Sequence, residues 1–264
     1  LYLIPMAGAI WSMPQKDIMD YPVKSLFEFF NNHKLLHGKK DRPQWLTVSG
    51  GSINYVKKII NFLEANPKVK LFKNNGVKRI KRKNGIIKIT DTKGNFSEVD
   101  HIIFSQNPCK VLDLIEDIQK RELDVLGKFK TNKNTAYLHS DESIMPKTKK
   151  IWSSWNIFVP KDEKNHISVT YWMNKLQNIN NKTPLFLSLN PVRLPNEGSI
   201  FKVIDYEHPI FNNRSITALK FLDEIQGLNN TWYCGAWSGN GFHEDGMNSS
   251  LRLSSKLGIK ALWD

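Results

Sequence analysis

The sequence predicts an α/β chain built in two interleaved parts, and three stretches carry that expectation. Residues 231–258, TWYCGAWSGNGFHEDGMNSSLRLSSKLG, read as a strand, a glycine-rich loop and a helix. Residues 69–105 read as a β meander in which Asn84-Gly85 is a type I′ hairpin signal. Residues 133–173 read as three antiparallel strands carrying Trp152, Trp155, Tyr171 and Trp172.

In chain order, residues 1–14 are apolar, and after Pro22 the spacing of Val23, Leu26, Phe27 and Phe30 is that of one helix face. His33 and His37 could share a helix face, but no acidic third ligand lies nearby, so they mark a helix end before Gly38 rather than a metal site. Trp45 to Val48 reads as extended, Gly50-Gly51 as a turn and Ser52 as the cap of a helix with Val56, Ile59, Ile60 and Leu63 on one face. In the meander the expected strands are 69–72, 77–83, 86–91 and 96–105, with a second turn at Lys93-Gly94-Asn95. Lys78, Arg79, Lys81, Arg82 and Lys83 read mostly as a solvated strand face. The apolar end of the meander, 101–104, has the character of a strand inside a parallel sheet. A helix follows Pro108, with Val111, Leu112, Ile115 and Ile118 inward and Cys109 at its start.

The next strands are expected at 135–139, 151–159 and 166–173, which sets Trp152 and Trp155 on opposite faces of one strand. A short LFLSL strand, a strand at 200–206 and a helix with Ile216, Leu219 and Leu222 lead back to the 231–258 stretch. There Asp245 reads as the N-cap of a helix presenting Leu251, Leu253 and Leu257 to a core, closed by Gly258. Glycines in such a loop let a ligand approach bare backbone, and a helix start offers N–H groups and a partial positive charge to an electron-rich group. The alternative is an ordinary strand-turn-helix connection.

Residue identity goes further. GAWSGNGFHEDG resembles the C-terminal flavin-binding block of the flavin-containing amine oxidase superfamily, and more closely that of bacterial amine-oxidase-like NAD/FAD-binding oxidoreductases. LIPMAGAIWSMP at 3–14, FFNNHKLL at 29–36, RPQWLTVSGGSINYV at 42–56, SSWNIF at 153–158 and VTYWMNKLQ at 169–177 resemble further blocks of that family, in order. The resemblance implies an FAD-binding domain of Rossmann-like, amine-oxidase type at 46–109 and 201–264, interleaved with an antiparallel-sheet substrate domain at 1–45 and 110–200. It implies cofactor contacts at Gly50, Gly51, Val77, Gly235, Ala236, Gly241, Asp245, Gly246 and Met247, with Val77 beside adenine and the start of the last helix beside the flavin pyrimidine edge. Where many amine oxidases carry an acidic residue after the glycine of that turn, this chain has Ala236. G-x-G-x-x-G, which would bind the FAD pyrophosphate, is absent from these residues, and the chain opens on Leu1 within a block; we expect a fragment of a longer protein.

The function implied is FAD-dependent oxidation of a carbon on an organic substrate, with His243 and Glu244 the acid/base candidates and the aromatic cluster an apolar, stacking pocket. An isomerase or desaturase acting on a lipid or isoprenoid is the alternative within the superfamily. A non-enzymatic basic module is the alternative outside it, because the 264 residues carry a net charge of +13 and would suit an anionic membrane surface. No nucleic-acid-binding motif organises that charge. Cys109 and Cys234 are the only cysteines and show no C-x-x-C spacing, so neither a disulfide framework nor a zinc knuckle is expected, and a reducing cytoplasm is the simplest setting.

Overall fold

A computed structural model describes residues 2–38, 43–160, 166–180 and 182–261; Arg42, which opens one of the blocks above, lies outside them. The helices are α1 (Leu3–Trp11), α2 (Gln15–Met19), α3 (Val23–Asn32), α4 (Ile53–Glu64), α5 (Pro108–Leu112), α6 (Lys120–Leu126), α7 (Met173–Leu176), α8 (Asn213–Leu219), α9 (Leu222–Ile225) and α10 (His243–Lys256). The strands are β1 (Val77–Lys83), β2 (Ile86–Asp91), β3 (Phe96–Val99), β4 (Ile102–Phe104), β5 (Lys130–His139), β6 (Trp155–Phe158), β7 (Ser168–Trp172), β8 (Phe186–Leu189), β9 (Ile200–Ile210) and β10 (Thr231–Tyr233). The fold is α/β. It has two compact units, Leu1–Phe72 with Asn132–His208, and Lys73–Thr131 with Pro209–Asp264. The divisions drawn from sequence lie instead at 45/46, 109/110 and 200/201.

The first unit is built on a five-stranded sheet of order β6-β7-β8-β5-β9. Its β6, β7, β8 and β5 pair antiparallel, with Asn156 opposite Thr170, Thr170 opposite Ser188 and Ser188 opposite Tyr137. Side chains alternate across a strand, so the register gives this sheet two faces of different chemistry. One packs Val169, Trp155, Ile157 and Tyr171 against Ala9 of α1. The other carries Thr170, Ser188 and His139, and its Phe186 and Trp172 pack with Met145 and Trp152 from the 141–152 segment. Trp152 precedes β6 rather than lying on it, so the expectation that Trp152 and Trp155 share a strand is corrected: a 3-10 turn at Lys149–Ile151 holds the first tryptophan, and β6 begins at the second. In α3 the buried side chains are Phe29 and Phe30, while Val23 and Phe27 stay exposed. Trp11 packs on Tyr21 and Phe29 at 4.6 and 4.8 Å between ring centroids.

The second unit holds the β1-β2-β3 meander and a parallel β4-β10 pair. Asn84 and Gly85 both adopt positive φ, at 54° and 79°, and pair Lys83 with Ile86, the two-residue turn that matches strand twist. Residues 69–72 form no strand, and the expected 96–105 strand is two: β3 pairs with β2, and β4 crosses to β10. The helix expected through Ile118 stops at Leu112, and a separate α6 follows. Ile80, Ile87, Phe104, Leu126, Ile225 and Tyr233 centre one apolar core between meander and helices. Each such side chain contributes roughly 1.5–3 kcal/mol by leaving water.

Candidate functional site

β10 ends at Tyr233, and Cys234 extends the parallel pairing by donating its N–H to Phe104 O at 2.9 Å. Gly235 then takes φ 135° and ψ 164°, a region open essentially to glycine alone, and a Cβ there would lie 2.7 Å from the Trp237 ring. The following turn is wired to itself. Gly239 and Gly241 both donate to Ala236 O at 3.1 Å, Ser238 Oγ donates to Gly235 O at 2.8 Å, and Trp237 Nε1 donates to Cys234 O at 2.9 Å. Ser249 of α10 accepts from Gly235 N at 2.8 Å and donates to Gly246 O at 2.7 Å, clasping loop and helix together.

α10 starts three residues earlier than its sequence suggests. Phe242 is the N-cap, and Asp245 occupies the third helical position, where its Oδ2 accepts from Phe242 N at 3.0 Å. His243, Glu244 and Asp245 therefore form the first turn, while Gly246 N already donates to Phe242 O at 3.1 Å. The expectation of Asp245 as N-cap, with the helix opening at Asp245 to Met247, is corrected accordingly: Asp245 reaches backward from inside the turn. At its other end Gly258 N donates to Ser255 O and Ile259 N to Ser254 O, a Schellman closure with Gly258 at φ 71°.

Gly246 differs from the loop glycines. A Cβ built on it would meet only Ala236, its nearest atom being Ala236 N at 3.7 Å, which is ordinary contact. The chain's own packing does not require glycine there, although glycine in a helix costs about 1 kcal/mol relative to alanine. His243, Glu244 and Met247 are exposed around it.

Beneath this turn lies a buried ionic network that the sequence did not reveal. Arg82, expected on a solvated face, points inward: its Nε donates to Asp117 Oδ2 at 3.0 Å, Nη1 to Glu122 Oε1 and Thr231 Oγ1, and Nη2 to Glu122 Oε2 and Asp117 O. All five guanidinium hydrogens are used. Tyr233 Oη adds a 2.6 Å bond to Glu122 Oε1, and Gln119 N one at 2.9 Å to Oε2. Burial opposes the Glu122 charge, but hydrogen bonds from Arg82, Tyr233 and Gln119 outweigh it and hold the carboxyl below its usual range. Burial, with Glu122 alongside, pushes the Tyr233 phenol up. The network fixes Thr231 and Tyr233, and through them the strand that launches the glycine turn. Burial also pushes the Cys234 thiol up, keeping it protonated, and Cys109 Sγ donates to Phe129 O at 3.1 Å.

No family model and no curated protein matches the chain. Solved structures do. A cyclohexylamine oxidase from Brevibacterium oxydans IH-35A aligns over 97% of this chain and 64% of its own at TM-score 0.59 and 10% identity. A protein assigned as protoporphyrinogen oxidase from Exiguobacterium sp. 255-15 aligns over 95% and 58% at TM-score 0.59 and 13% identity. A CLA-producing fatty acid isomerase from P. acnes aligns over 76% and 52% at TM-score 0.51 and 14% identity. The chain shares the fold of these solved structures. The chain spans between about half and two thirds of the length of these structures.

Gly235, Ala236, Gly241, Asp245, Gly246 and Met247 share one loop and helix start in the second unit, with His243 and Glu244 beside them. Val77 is in the same unit, as the first residue of β1, opposite Asp91 and next to a register irregularity. Gly50 and Gly51 belong to the first unit, in a turn at φ 73° and 88° ahead of α4. Positive φ accounts for both glycines without a ligand. Among the described residues no group of three or more His, Cys, Asp or Glu side chains could hold a metal, and no helix is long and apolar enough to cross a membrane.

Proposed function

We propose that the chain is part of an FAD-dependent oxidoreductase whose β10-loop-α10 segment meets the flavin pyrimidine edge. One observation carries the reading: Gly246, a helical glycine that the chain's own packing does not need, sits beside the Ala236 backbone. A group approaching that backbone supplies the missing reason for glycine. The residues fit such a group. The start of α10 carries the partial positive charge of a helix N-terminus, and Gly246 places no side chain over the Ala236 backbone. Bound there, FAD would supply the redox chemistry by accepting hydride from a substrate carbon at its N5.

The chain's own part is orientation and charge. Gly235 and Ser249 hold the loop against the helix, and the Arg82–Glu122–Tyr233 network holds the strand below it. Glu244 and Asp245 set two carboxylates at the positive helix end, which reduces the charge stabilisation that this terminus gives an electron-rich ring. His243, exposed in the same turn, is the side chain we assign to proton handling, and Ala236 leaves no carboxylate at the turn itself. Val77 completes the cofactor contacts assigned within the second unit, and the antiparallel sheet of the first unit is the assigned substrate domain. The likeness to a fatty acid isomerase supports one second reading, an isomerase of lipids; consumption of an electron acceptor separates the two, because an isomerase consumes none.

The experiment is the flavin content of the purified full-length protein. Gly246→Leu is expected to lose bound flavin by about tenfold or more through steric block, and Gly246→Ala to keep the helix and lower bound flavin by a smaller factor. Unchanged flavin in Gly246→Leu removes the assignment.

A further inference from the structure

The first unit contains a cleft of about 770 Å3 between the Thr170 face of its sheet and the segments 142–152 and 191–193. Its walls are mainly apolar, from Ile144, Met145, Trp152 and Phe158. Trp152 is fixed there by an Nε1 bond to Pro146 O at 2.8 Å and edge contacts to Trp172 and Phe186. Its charged lining is one-sided: Lys147, Lys149 and Arg193 stand against Glu142 alone, and Glu142 is already engaged by Lys149 at 2.6 Å. Arg193 spends one nitrogen, Nη2, on Ser143 O and Oγ, which leaves its Nε and Nη1 hydrogens outside that pair.

The floor adds a hydroxyl tied to the backbone through a chain of hydrogen bonds. Asp141 N–H can only donate, and it donates to His139 Nδ1 at 3.1 Å. Burial, opposed by Asp141, keeps His139 neutral, so its hydrogen is on Nε2. Nε2 then donates to Ser188 Oγ at 2.8 Å, and in the arrangement that spends the Ser188 hydrogen within this chain of bonds it passes to Thr170 Oγ1 at 2.8 Å. Thr170 lines the cleft, and its own hydroxyl hydrogen is the one the relay leaves over. The two cations outside the Lys149–Glu142 pair and a hydroxyl over apolar walls favour a ligand that brings negative charge and an acceptor on an apolar body.

The geometry points to this cleft as a binding site for an apolar carboxylate, with Arg193 and Lys147 as the anion-recognising side chains and Thr170 as an orienting donor. The site stands without the flavin reading, because its test reads binding rather than turnover. The 264-residue chain is titrated by calorimetry at low salt with decanoate and with its uncharged counterpart, decanol. Decanoate is expected to bind at least about tenfold more tightly, and Arg193→Gln with Lys147→Ala to remove that preference while leaving decanol binding unchanged. Because the chain is basic throughout, Lys78→Ala with Lys81→Ala on β1 is the control and leaves both affinities as they were. Thr170→Ser keeps decanoate affinity and Thr170→Val lowers it severalfold. Equal binding of decanoate and decanol, or equal loss from the rim and β1 variants, overturns the site; equal affinity of the Ser and Val variants overturns the role of Thr170.

Discussion

α4 and α10 are written in the same grammar and end in opposite circumstances. Each follows a glycine turn, and each has apolar residues at helical spacing. α10 is clasped to its loop through Ser249 and buries Leu253, whereas no residue of α4 is buried and Ile53, Ile59 and Phe62 are more than half exposed. The difference teaches that periodicity reports which face is apolar and leaves open what covers it. What separates the two helices is wiring outside themselves: α10 is hung from β10, and β10 is held by Arg82 and Glu122.

Removing that wiring is the sharpest way to break the contrast. Arg82→Ala or Glu122→Ala strands a buried charge and is expected to cost about 3–5 kcal/mol in denaturant unfolding, while a double replacement by apolar residues costs less than the sum of the two. The Glu122 carboxyl sits below its unfolded value, so its contribution is complete above about pH 4.3 and falls as pH drops toward the lower folded value; Glu122→Gln flattens that acid limb. Next in size, Leu253→Ala should cost about 2–4 kcal/mol, whereas Ile59→Ala in α4 changes stability by about 0.5 kcal/mol or less. Equal costs would mean that α4 is covered in solution. Gly246→Ala is expected to raise stability by up to about 1 kcal/mol, since its Cβ has room. The smallest effect is local. Asn95 and Asn75 hydrogen bonds hold Asp91 down to about 2, so NMR titration should find this half-buried carboxyl ionised well after its neighbours have protonated, and Asn95→Ala should raise it.

Local chemistry made much of the fold legible. Asn84-Gly85 named its turn, alternation named β5 to β8, and the glycine spacing after Cys234 named the loop. Boundaries were legible only where a residue has one conformational use. The α10 cap was misplaced because Phe242 gives no capping signal, and the stabilising carboxylate of Asp245 works from inside the helix. Residues 69–72 alternate like a strand but find no partner, and the run 96–105 changes sheets between Val99 and Ile102. The Arg82 network had no signature at all. Its members are scattered along the chain, and an arginine in a basic run reads as solvated until a buried carboxylate is placed beside it.

The same network has a consequence for the order in which the molecule can be made. Arg82 and Thr231 are 149 residues apart, and Glu122 and Tyr233 are 111 apart. During synthesis Arg82 and Glu122 emerge long before the strand that completes their hydrogen bonds, and all of residues 132–208, the larger sheet, is translated in between. Closing so long a loop precedes any gain from the contacts it brings, which makes docking of β10 a slow, late event. A ribosome stalled before residue 231 would therefore hold a meander with an arginine and a glutamate still waiting for Thr231 and Tyr233.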